Sequence, residues 1–230
     1  MRFAHKLTID GTERHLLADR WYLEANAPGR AIIDVAADAP LSGVVTYAIG
    51  WDGDIEPWFT GAVQTSVALD GKRQRLRVVE IDHALRARVP LALRNQTVRD
   101  MLDAIADATG IAWRVGRSVD LSRRFAHLAA GGTARAALQR LGRLLDIDDW
   151  TLQALPTGEV YIGAAAGLRP ATIALPSSVL ADVTTTGAGI RAVPRLRPGC
   201  RVTPGNGDTM TITAVELSID TYRLHWRRSP

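Results

Sequence analysis

The chain has 230 residues, 47% of them hydrophobic, with 28 Lys and Arg against 24 Asp and Glu. That length can bury a sizeable core in one to three small domains, removing roughly 70% of the unfolded surface. The single cysteine, Cys200, excludes an internal disulfide, a paired-cysteine zinc site and an iron–sulfur cluster, and with no apolar run near ~18 residues, no membrane insertion is expected.

The net charge of +4 is local in origin. From Thr186 onward, seven arginines (191, 195, 197, 201, 223, 227, 228) face Asp208, Glu216 and Asp220, which is 7 − 3 = +4. Lys6 and Lys72 are the lysines, leaving 26 arginines (28 − 2), a bias of composition more than a nucleic-acid footprint. No helix-turn-helix, zinc-finger or RNP pattern accompanies the charge. An acidic partner surface, or a solvated tail, is a better expectation than a DNA groove reader. The first ten residues alternate in polarity, which argues against a signal peptide. A protein folded in a reducing cytosol is expected.

Residues 1–88 read as an all-β module. Phe3–Ile9 alternates and runs into Asp10-Gly11, a two-residue hairpin signal. Strands are expected over 21–25, 31–36, 44–51, 57–60, 63–69 and 75–81, with further Asp-Gly corners at 52–53 and 70–71. Residues 89–166 contain one helix-plus-strand unit twice. Thr97 aligns with Thr133, Ile105 with Leu141 and Ile111 with Ile147, at a constant offset of 133 − 97 = 36 residues. Both threonines stand at N-cap positions, and Gly110 is placed to end the first helix in the left-handed conformation. Strands follow at 111–115 and 150–155, the latter turning through Pro156-Thr157-Gly158 into 159–163. Phe125 and Leu128 anchor the segment between the copies. Residues 167–230 return to β, punctuated by prolines and glycines. The expected fold class is therefore mixed β with α+β: two small β-barrels flanking a duplicated helix-plus-hairpin α/β domain.

Little in the chain reads as catalytic machinery. There is no G-x-S-x-G elbow, and His5, His15, His83, His127 and His225 show no ligand spacing. No catalytic residue, metal site or cofactor is expected. Asp52, Asp54 and Glu56 alternate around a turn, which admits a calcium loop or a hydrolase carboxylate pair. A solvated hairpin tip is the stronger reading, because the loop lacks the rest of either pattern. Gly131-Gly132-Thr133 starts a helix without the lysine of a phosphate loop. The aromatics and the basic tail are better interface candidates: Trp51 and Trp58, with Phe59 assigned to the core, and Arg195, Arg197, Arg227 and Arg228.

Several stretches resemble the tail hub proteins of bacteriophages, the family that includes baseplate hubs, the late control D-type proteins and the hub part of type VI secretion spikes. They are FAHKLTIDG with WYLEANAP at the start, GWDGDIEPWFTGAV, TVRDMLDAIADATGI, and LRPGCRV with ITAVELSIDTYRLHW. The resemblance implies a structural virion protein of the tail tip or baseplate, assembled in the host cytoplasm. It implies a ring-shaped homotrimer whose paired barrels adapt a hexameric tail tube, or distal tail protein, to a three-fold spike or fibre. Tape-measure protein and phage DNA would pass through its lumen. The alternatives are a β-rich hydrolase using Asp52, Asp54 or Glu56, and a ring-building subunit of a secretion apparatus.

Overall fold

A computed structural model describes residues 2–168, 172–205, 207–219 and 221–229, with the backbone alone at 91–93 and 128–130. The chain divides into two compact units, Met1–Glu80 with Arg169–Pro230 and Ile81–Leu168. Its class is a β-rich α+β fold.

The first unit opens with β1 (Phe3–Ile9), β2 (Thr12–Glu13), β3 (Leu16–Glu24), β4 (Ala27–Ala36), β5 (Val44–Trp51), β6 (Asp54–Asp70) and β7 (Arg73–Glu80). The Asp10-Gly11 and Asp52-Gly53 corners both have φ positive at each residue, 49° and 75°, then 53° and 92°. That is the backbone a two-residue hairpin needs to match strand twist, and Asp and Gly tolerate it best. Where two strands were expected at 57–60 and 63–69, β6 runs through as one, with register shifts at 63–65 and 68–70.

The second unit follows: β8 (Leu91–Thr97), α1 (Val98–Thr109), β9 (Ala112–Val115), β10 (Arg124–Ala130), α2 (Ala134–Leu144), β11 (Trp150–Ala154) and β12 (Glu159–Ala164). The chain then returns to the first unit with β13 (Ile173–Leu175), β14 (Leu180–Thr184), β15 (Gly187–Arg191), β16 (Arg201–Pro204), β17 (Met210–Ser218) and β18 (Thr221–Arg228).

The two terminal β segments, expected as separate barrels, are joined in one sheet. Its path is β14-β15-β18-β17-β3-β4-β7-β6-β5-β1-β2, with β16 on β17 and β13 on β16. The junction is β17 against β3, where Leu217 opposes Trp21 and Val215 opposes Leu23. Alternate residues of the longer strands enter a common core, among them Leu7, Ile33, Tyr47, Leu76, Val215 and Leu224. Trp21 stacks on Tyr47 at 4.3 Å between ring centroids and meets Trp58 and Phe59 edge-on. Asp19 is buried beside them, accepting from Trp21 Nε1 at 2.8 Å, Tyr47 Oη at 3.1 Å and the Ile219 amide at 2.6 Å. Three donors offset the desolvation of its carboxylate.

In the second unit the repeat is strand–helix–strand. β8 and β10 pair antiparallel; β12 pairs antiparallel with β11 and parallel with β9. The Thr97 hydroxyl accepts from the Asp100 amide while the Asp100 carboxylate takes the Thr97 amide, closing a capping box. The Thr133 hydroxyl caps α2 by accepting from the Ala136 amide, with no return bond from a carboxylate, and Gly110 ends α1 at φ 71°. Val98, Met101, Leu102 and Ile105 of α1 share a separate core with Ala137, Leu138 and Leu141 of α2. Phe125 packs against that core, and the Leu128 side chain, expected to anchor the same segment, lies outside the described residues.

Candidate functional site

The β5–β6 hairpin carries Trp51 and the three acidic residues. Trp51 is half-buried at the foot of the turn, donating from Nε1 to the Ala192 carbonyl at 2.7 Å. Phe3 meets its ring edge-on at 5.3 Å, and the Arg191 guanidinium lies 5.9 Å from the ring centroid. Asp52 accepts the Arg2 amide at 2.7 Å. Glu56 receives two bonds from Arg195, at 2.6 and 3.2 Å. Those bonds hold the Glu56 carboxyl below the usual carboxylate range. A glycosidase acid needs the opposite shift. Gly50, Trp51, Asp54, Glu56, Pro194 and Arg195 line a shallow depression of about 190 Å³, so the acidic corner is an ion-paired surface.

Trp58 and Arg197 stand elsewhere than an exposed-anchor reading places them. Trp58 is fully buried because β6 bulges: Tyr47 opposes Phe59 while Ala48 opposes Pro57, leaving Trp58 as the extra residue. Both aromatic rings therefore enter the core. Trp58 Nε1 donates to Tyr222 Oη at 3.2 Å, and Tyr222 Oη donates to the Leu196 carbonyl. Arg197 is buried too, donating to the Trp58 carbonyl and, at 2.6 Å, to Glu80. Glu80 in turn accepts the Gly29 amide at 2.8 Å. These two residues tie the terminal segments together from inside, with Trp58 fully buried and Arg197 9% exposed.

Arg227 and Arg228 are exposed at the end of β18. Arg228 pairs with Asp208, and Thr172, Arg201, Thr209 and Ser229 join them around an open depression of about 460 Å³. His225 lies 3.1 Å from Glu216. In the second unit, Asp82 is buried against Arg135, and burial pushes its carboxyl up despite that cation. Buried acids such as Asp19, Glu80 and Asp82 gave no signal in the sequence, since each is paired with residues far along the chain. Among the described residues no group of three or more His, Cys, Asp or Glu side chains could hold a metal ion. No helix among them is long and apolar enough to cross a membrane.

The fold is similar to that of solved tail proteins. The 43 kDa tail protein of prophage MuSo2 from Shewanella oneidensis superposes with a TM-score of 0.71 at 13% identity, over 97% of this chain and 96% of that one. A tail protein from Neisseria meningitidis MC58 gives 0.66 at 11% identity, over 99% and 96%. The c3393 protein of E. coli gives 0.64 at 14% identity, over 98% and 77%. It is a type VI secretion component described as structurally similar to the bacteriophage T4 tail proteins gp27 and gp5. In sequence, an uncharacterized 58.7 kDa protein of Haemophilus phage HP1 is 25% identical over 97% of this chain. The chain spans 42% of that relative's length. No protein-family model matches the chain.

Proposed function

We propose that this protein is a structural hub of a phage tail tip or baseplate and not an enzyme. The observation that carries the reading is the fold shared end to end with a phage tail protein, 97% of one chain on 96% of the other. In this reading three copies close into a ring with a central channel. Segments 1–88 and 167–230, joined in one sheet, each offer one surface, so three chains offer six to a hexameric tail tube. The opposite face meets a three-fold spike or fibre. Tape-measure protein and DNA pass through the channel, the protein resides in the virion, and assembly takes place in the host cytoplasm. Trp51, Arg195, Arg227 and Arg228 are the exposed or half-exposed side chains available for subunit or tube contacts. The ion-paired acidic corner, with Glu56 held ionised by Arg195, supports a structural role over a hydrolytic one.

A secretion-spike component is the second reading, favoured by the likeness to the type VI secretion protein. Mass photometry and negative-stain electron microscopy of the purified protein test the shared core of both readings. A three-subunit ring with a stain-filled centre is expected; a monomer at every concentration would sink them. Reconstitution separates the two: the tail reading expects the ring to bind a phage tail tube and leave a secretion tube unbound.

A further inference from the structure

In an antiparallel sheet, directly opposed residues share one face. Ile32 on β4 is opposed by Arg20 on β3 and by Arg77 on β7. Two positions away along β4, Arg30 opposes Tyr22 and Asp34 opposes Arg75. The intervening Trp21, Ile33 and Leu76 are core, so this grid is the outward face of the sheet. Neighbouring strands are about 4.8 Å apart, which sets Arg20 and Arg77 on either side of Ile32. Ile32 is 50% exposed, and the four arginines are exposed around it.

The charges on this face are only partly neutralised. Arg75 grips Asp34 at 2.7 Å, and Arg30 lies 4.5 Å over the Tyr22 ring. Arg20 reaches Glu216 at 3.9 Å, and the Arg77 side chain makes no ion pair or hydrogen bond among the described residues. For solubility alone, an exposed strand would take threonine and alternating charges at these positions. An apolar centre with tyrosine beside it and arginines around it is the anatomy of a protein interface.

We propose that this face docks a protein partner that presents an apolar side chain flanked by carboxylates. The apolar group covers Ile32, and guanidinium forks of Arg20 and Arg77 take the carboxylates, a geometry that lysine would not reproduce. Asp34 and Glu216 lie within the grid, where they would repel a phosphate backbone, so the face favours protein over nucleic acid. The inference holds whether or not the chain is a tail hub.

The test measures fluorescence anisotropy of a labelled peptide of alternating Glu and Leu on the full chain, beside a short labelled DNA duplex. The peptide is expected to bind with an affinity that falls as salt rises. R20E/R77E should weaken it roughly tenfold or more. I32S should weaken it less, and the charge-matched R114E/R117E, whose exposed arginines lie on and beside β9, should leave it unchanged. Circular dichroism checks that each variant keeps its fold; if R20E/R77E does not, R20Q/R77Q carries the same expectation. Equal weakening by both double variants would reduce the effect to net charge and overturn the proposal. So would unchanged binding in R20E/R77E, or tighter binding of the duplex through the same two arginines.

Discussion

Arg195 and Arg197 stand two residues apart in one turn-rich stretch and meet opposite environments. Arg195 is 79% exposed and its pair with Glu56 is screened by water. Arg197 is buried, and it is the counter-charge of a buried glutamate 117 residues away in the chain. Removing one member of a buried pair strands the other without compensation, which costs about 3–5 kcal/mol. Urea denaturation of Arg197→Ala should therefore show a loss of that size, while Arg195→Ala should barely move the curve. Equal effects from the two would mean that Glu80 finds water once Arg197 is gone. The depressed Glu56 carboxyl adds a stabilisation that is present above the unfolded carboxylate range and lost as pH falls through the folded value; exposure keeps it small. Both arginines read alike in the sequence, because nothing within a few residues of Arg197 announces Glu80. Trp51 and Trp58 posed the same problem. A single bulge at Trp58 decides which indole is core, and a bulge leaves no mark in a pattern of alternating residues.

The helices were legible because their determinants are local. Thr97, Asp100 and Gly110 specify the ends of α1 within its own dozen residues, and the 3.6-residue spacing of Val98, Met101, Leu102 and Ile105 specifies its inner face. The hairpins at Asp10-Gly11 and Asp52-Gly53 were legible for the same reason. The pairing of β8 with β10 was not, since each is short and the partner stands beyond a helix and a strand. This contrast bears on Leu141, fully buried on α2 within the core that both helices share. Leu141→Asp places a carboxylate there without a partner, a cost of about 4 kcal/mol or more, enough to exhaust a domain of this size. Hydrogen exchange should show amides of 98–109 and 134–144 losing protection together. Strands β3, β4 and β7 draw on a different core and should keep theirs. Simultaneous loss in both units would show that they unfold as one.

At the scale of the whole chain, the feature that local patterns could not reveal is the continuity of the first and last segments. β17 pairs with β3 almost two hundred residues away, and Trp58 and Tyr222 meet inside one aromatic cluster. Residues 1–80 alone would leave one edge of β3 unpaired and expose the side of the core that Val215, Leu217, Tyr222 and Leu224 fill. Residues 81–168 enclose their own core and own strand pairings. The excised 81–168 fragment should therefore give dispersed amide resonances and a cooperative melt. The 1–80 fragment should collapse or aggregate by itself and recover when 169–230 is co-expressed in trans, pulled in by β3–β17 pairing and the Arg197–Glu80 bond. If the 1–80 fragment instead folds alone with a sharp melt, its strands must close without β17, as an independent barrel would. The second segment would then be an attachment, and the core shared by the two segments would have to be divided in two.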